Sequence, residues 1–271
     1  MIKKIALVLV KIILILVPFS PLPEIISGTE VGYNDFSSYL LTCGFIAVFS
    51  LLLAVFINFK NTPVTQENLL VPAWSLFILG ILVMVPLHMG PPREGENLLQ
   101  ATGEEKFRYI MLIIAVFVFS AGVIASLKPF QPKLSLAGKM IFIPLAITFF
   151  ISLWDYYDSF SFSSKLTAWV SSGKNAADFF PNYDFHDTWR AAGRILLYVV
   201  AGWTGIILYN QSVISRWVTA ILVLFCVVSV GFCTMFLLRG PAFYFPFMVP
   251  AIALAPSYWL GIALLNKTSL K

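Results

Sequence analysis

Both histidines of the chain, His88 and His186, sit at the ends of apolar runs, together with several acids and arginines. The residues that could carry chemistry are His88, Asp155, Asp158, Asp184, His186, Asp187, Arg190, Arg194 and Arg239. Carboxylates facing arginines can neutralise one another, and arginine pairs suit a phosphate or carboxylate group. Asp187, Arg190 and Arg194 stand at i, i+3 and i+7, one face of a helix, and His186 and Arg190 at i, i+4. Asp184 and Asp187 near a helix start suit the positive end of its dipole. The simpler reading is a set of charged helix ends at a membrane boundary, with Trp154, Tyr156, Tyr157 and Trp189 as the aromatic belt. The alternative is a polar pocket opening outward that takes a lipid headgroup or a small anion.

Other chemistries find little footing. A metal would need His88, His186 and one or two aspartates to converge, and no HExxH or comparable spacing is present, so no metal or cofactor is expected. A bis-histidine haem would have to use the same two helix-end histidines. Ser229-Val230-Gly231 lacks the leading glycine of a nucleophile elbow. Cys43, Cys226 and Cys233 form no CxxC and lie inside apolar runs, as free buried thiols would. Glu104-Glu105-Lys106-Phe107-Arg108 pairs two glutamates with an arginine, but its spacing misses that of intramembrane glutamic proteases by one residue and no matching histidine pattern follows. No Gly-rich phosphate loop occurs, so no nucleotide is expected. Lys11 lies about two turns into the first apolar run; it either snorkels to the surface or is a buried cation with a partner.

The elements that carry these residues follow from composition. The chain of 271 residues is 59% hydrophobic and only 11% charged, whereas soluble domains are roughly 25% charged. Its apolar runs are of about 18–22 residues, long enough as helices to cross about 30 Å of hydrocarbon. They are continuous rather than alternating, which excludes a β-barrel. The fold class is therefore all-α: a polytopic transmembrane helical bundle forming a single integral membrane domain. About eight spans are expected, near residues 5–20, 38–58, 71–88, 109–127, 140–157, 191–209, 217–238 and 243–265. Pro144, Pro246 and Pro250 fall within spans and predict kinks.

Charge gives the orientation. With the N-terminus inside, the inner side carries ten of the 18 basic residues and a single acid, Glu67; the outer side carries eight basic residues and twelve of the 13 acids. So strong a positive-inside bias predicts both termini inside. The net charge of +5 is then topological and implies no nucleic acid. The inner loops are short, so no soluble cytoplasmic domain is expected. Two outer loops, residues 21–36 and 89–107, read as solvated connectors. The third and longest, residues 158–190, holds Leu166, Trp169 and Val170 at i, i+3 and i+4. They predict a short interfacial helix on the outer leaflet, capped by Ser163 or Ser164 and ended by Gly173.

No internal repeat or matched pair of broken helices marks an inverted-repeat transporter. The expectation is a multi-pass protein of a bacterial-type inner membrane, in contact with the lipid bilayer and a membrane-protein partner. A non-catalytic complex subunit or assembly partner is preferred over a small-solute transporter or channel, and over an enzyme acting on a lipid-linked or anionic substrate.

Overall fold

The computed structural model describes residues 2–20, 33, 35–60, 67–90, 92–179, 184–240 and 246–267. The fold is all-helical, with no strand among the described residues. In chain order the helices are α1 (Ile2–Leu16), α2 (Phe36–Lys60), α3 (Leu70–His88), α4 (Glu96–Gln100), α5 (Thr102–Leu127), α6 (Leu136–Lys139), α7 (Phe142–Phe160), α8 (Phe162–Ser171), α9 (Asp184–Asn210), α10 (Arg216–Arg239) and α11 (Pro250–Leu265). Among them are six helices long and apolar enough to cross a membrane; α1 and α11 are apolar but shorter.

The core is built round α11. Thirteen of its 16 residues are buried, so it is apolar and covered on every side, as a central helix must be. It packs most extensively against α3, which in turn packs on α5. Small residues let these backbones meet. A Cβ added to Gly261 would stand 2.5 Å from the backbone nitrogen of Phe77, and one added to Gly80 would enter the Tyr258 ring. By contrast, α2, α7 and α10 expose large apolar residues such as Phe45, Phe150 and Leu224.

Helix ends inside this core leave carbonyls with no intrahelical partner. Side chains from other helices supply the donors. Tyr258 Oη donates to Leu14 O (2.6 Å) and Trp259 Nε1 to Ile15 O (3.3 Å), closing the end of α1. Asn58 Nδ2 donates to Leu265 O at the end of α11 (3.1 Å). Tyr39 Oη donates to Val85 O at the end of α3.

Several boundaries differ from the sequence reading. Helix α5 starts seven residues before Tyr109, with Glu104 and Glu105 in its first turn, where acids suit the dipole. Pro246 opens a 3₁₀ turn (Pro246–Met248) and Pro250 is the first residue of α11. Neither therefore lies inside a helix to kink it, since the first position has no hydrogen bond to lose. Helix α8 lies where the short amphipathic helix was expected. Its N-cap is Ser161, without a side-chain bond, while Ser163 is buried inside the helix; Gly173 follows it with φ +83°. Phe162 and Leu166 turn inward to pack with Leu98, Ala176 and Phe179.

Candidate functional site

Helix α7 turns Thr148, Ser152, Asp155 and Ser159 inward, all buried; the i, i+4, i+7, i+11 spacing is one helical stripe. Helix α9 faces it with Arg190 and Arg194. Gly193 lies between them, and a Cβ there would stand 3.0 Å from Ile151 Cγ2, so the missing side chain lets the helices approach. Asp155 is 1% exposed and holds one arginine on each oxygen. Arg190 Nε reaches Oδ1 at 3.2 Å and Arg194 Nη2 reaches Oδ2 at 2.8 Å. Arg190 also pairs with Asp187 (3.0 Å), one turn earlier on α9. Two carboxylates thus meet two guanidiniums, and the group is neutral. Burying one such charge alone would cost several kcal/mol, on the order of the value for an unpaired buried ion.

Arg194 does more than pair. Its Nε donates to Met248 O (3.1 Å), and its guanidinium lies 5.2 Å from the centre of the Tyr156 ring. Tyr198, one turn on, donates to Phe247 O (2.9 Å). The two bonds hold the 3₁₀ turn that leads into α11. Arg194 Nη1, Tyr156 Oη and Ser152 Oγ are buried with no hydrogen-bond partner among the described residues.

A second buried ion pair, absent from the sequence candidates, lies on α5. Glu105 and Arg108 are 3% and 5% exposed and pair at 3.2 Å. Glu105 accepts from the Tyr33 hydroxyl and from the Arg93 backbone N–H (3.1 Å). Arg108 donates to the Tyr33 hydroxyl and, through Nη1, to Pro86 O at the end of α3 (2.9 Å). A cation at a helix C-terminus opposes the negative end of its dipole. Burial pushes the Tyr33 hydroxyl well above its ordinary value, with the Arg108 charge opposing, so it stays a neutral donor. The loop read as a solvated acidic connector therefore ends in a buried pair. The i, i+3 spacing of Glu105 and Arg108 was the available signal. Tyr109, the next residue on α5, is buried with Leu112, Val116 and Tyr156.

The remaining candidates disperse. His88 is buried at the end of α3 and hydrogen-bonds Ser20 Oγ (3.1 Å). Asp158 pairs with Lys165, tying α7 to α8. Arg239 ends α10 exposed. Asp184 and His186 fall in the first turn of α9, and their side chains lie outside the described residues. Lys11 is half-buried on α1, where the like charge of Lys267 acts on it. Cys43, Cys226 and Cys233 are buried thiols and not half-cystines. Among the described residues no three His, Cys, Asp or Glu side chains converge as metal ligands would.

The arrangement can lock helices together. Both oxygens of Asp155, and both of Glu105, are already engaged by donors of the protein itself. Comparison with protein-family models, with curated proteins and with solved structures finds no match for this chain.

Proposed function

We propose that the chain is a multi-pass component of a bacterial-type inner membrane, without catalysis of its own, that acts as a subunit or assembly partner. In this reading it crosses the bilayer eight times, with both termini inside and its functional face outward, and α8 lies at the outer interface. One observation carries the non-catalytic reading: the outer charges are used on each other. Asp155 binds Arg190 and Arg194, and Glu105 binds Arg108, Tyr33 and the Arg93 backbone. A catalytic carboxylate needs an oxygen within reach of substrate. Affinity purification from native membranes in mild detergent tests the proposal. Co-purification of a membrane protein at a fixed ratio is expected; recovery of the chain alone, with or without lipid, overturns it.

One observation favours a transport reading instead. The buried stripe from Asp155 to Thr148 carries polarity about 10 Å along α7 at the helical rise, and Ser152 Oγ on it is without a partner among the described residues. Proton and small-ion leakage across vesicles holding the purified chain, reduced by Ser152→Ala, would support that reading. Vesicles that stay tight would reject it.

A further inference from the structure

The end of the bundle away from Asp155 carries a different kind of surface. Helix α9 ends in a Schellman turn: Val213 N donates to Leu208 O (2.9 Å) and Ser212 N to Tyr209 O (2.8 Å), with Ser212 left-handed at φ +60°. Val213 and Ile214 are buried and anchor the turn. Its outer side, with the start of α10 and the residues after α11, forms a hollow of about 490 Å³. Tyr209, Asn210, Ser212, Ser215, Arg216 and Lys267 line it, with no acid among the described lining residues.

This cationic hollow does not stand alone. Tyr209 and Arg216 also wall a groove of about 440 Å³ between α9 and α10, apolar except at its end. Through Ile206, Val223 and Val227 that groove continues into another of about 440 Å³, lined by Tyr198, Gly202 and Trp203 among others. The chain thus offers, in sequence, a positive and hydrogen-bonding mouth and a long apolar channel on the outside of the bundle. Volumes of this size accommodate a small-molecule ligand.

We propose that this surface binds one anionic phospholipid, its phosphodiester headgroup between Arg216 and Lys267 and an acyl chain along the α9–α10 groove. Charge complementarity selects the occupant. A partner helix would fill the apolar groove but leave two cations facing each other at its end, whereas the anionic phosphodiester lies between them, offsets one of the two charges and accepts hydrogen bonds from both. Ser215, Ser212 and Tyr209 supply hydroxyl donors, and arginine and lysine both bind phosphate. The inference rests on α9 and α10 spanning the bilayer, and not on which side the termini occupy.

Trp203, in the groove, gives a direct readout. The purified chain is reconstituted into phosphatidylcholine vesicles doped with acyl-brominated phosphatidylglycerol or acyl-brominated phosphatidylcholine, both quenchers of tryptophan. The difference between the wild type and Trp203→Phe isolates Trp203, and the difference made by Trp217→Phe, at a residue 79% exposed on α10, reports on bulk lipid. Half-quenching of Trp203 is expected at an about thirtyfold lower mole fraction of the anionic lipid, given two cations near a membrane surface. The Arg216→Gln/Lys267→Gln variant, whose changes are on exposed side chains, should lose that preference while Trp217 quenching is unchanged. Equal quenching of Trp203 by both lipids in the wild type overturns the proposal, as does a preference that survives the double substitution. Loss of the preference on adding millimolar inorganic phosphate would assign the hollow to a free anion and also overturn it. Trp203 silent to both lipids while Trp217 is quenched would mean that protein covers the groove, and would equally overturn the lipid site. Reversed orientation changes none of these readouts in symmetric vesicles, so its failure is separable from failure of the lipid site.

Discussion

Asp155 decides how the charges at this end of the bundle should be understood. Its carboxylate is nearly inaccessible and shared by two arginines, one of them equally buried. Asp155→Asn keeps the shape and removes the charge, leaving Arg190 and Arg194 facing each other. Breaking a buried pair in this way destabilises by roughly 3–5 kcal/mol. Thermal unfolding in detergent should therefore fall markedly for Asp155→Asn, and fall less when Arg194→Met is added, since the stranded charge goes with it. Asp187→Asn, at a side chain 44% exposed, should cost under about 1 kcal/mol. An Asp155→Asn protein of unchanged stability would contradict the structural role. The α9 half of this site was readable, because the 3.6-residue period puts Asp187, Arg190 and Arg194 on one face. Its α7 partner was visible only as a candidate at the same depth, since pairing across helices has no sequence period. Glu105 and Arg108 were missed because an acidic stretch after Gly90-Pro91-Pro92 looks like a connector. Only the arrival of Pro86 O and Tyr33 at the start of α5 makes it an interior.

At the scale of elements, the bundle is closed by side chains that reach carbonyls at other helices' ends. In hydrocarbon there is no water to take those groups, so Tyr258, Trp259, Asn58, Tyr39, Arg108, Tyr198 and Arg194 act as caps supplied from outside the helix. Close approach is the other requirement, and α11 against α3 depends on it most. Gly261→Ala puts a methyl group against the Phe77 nitrogen and the Leu76 carbonyl carbon, 2.5 and 2.7 Å away. Backbone cannot yield as a flexible side chain can, so overpacking of about 1–3 kcal/mol or more is expected. Gly44→Ala, with nothing within 4 Å of the added Cβ, should be neutral or slightly stabilising, because alanine suits a helix better. Comparing the two variants' unfolding temperatures checks this, and equal values would remove α11–α3 contact as the basis of the core. Apolar runs in the sequence located the helices, since hydropathy depends on composition alone. They could not locate the starts of α5 and α11. Those starts are set by Glu105 and Arg108 finding partners, and by Arg194 and Tyr198 holding the turn before Pro250.

For the whole molecule, the question is whether α1 and α11 cross the membrane, because six helices among the described residues satisfy length and composition and these two are shorter. Helix α11 has 16 residues, about 24 Å at the helical rise, less than a hydrocarbon core of about 30 Å. Its ends nevertheless meet both levels of the bundle. The turn before Pro250 is bonded to Arg194, beside Asp155, and Lys267 just beyond it lines the hollow at the α9–α10 turn. In the eight-span reading the 3₁₀ turn supplies the missing length, since non-helical backbone is tolerated at membrane depth where protein covers it. Helix α1 likewise continues through Val17–Phe19 to Ser20, which reaches His88 at the end of α3. Eight crossings and six crossings make opposite predictions for the termini relative to the loops. With Cys43, Cys226 and Cys233 replaced, single cysteines at Ser172, Gln131 and Ser269 can be challenged with an impermeant maleimide in intact cells. Eight crossings with the termini inside require the Ser172 position to react at once, and those of Gln131 and Ser269 only after permeabilisation. Reaction at Ser269 together with Ser172, and not at Gln131, would mean that α11 turns back within the bilayer. Reaction at Gln131 and Ser269 but not at Ser172 would invert the orientation that the distribution of Lys and Arg implies.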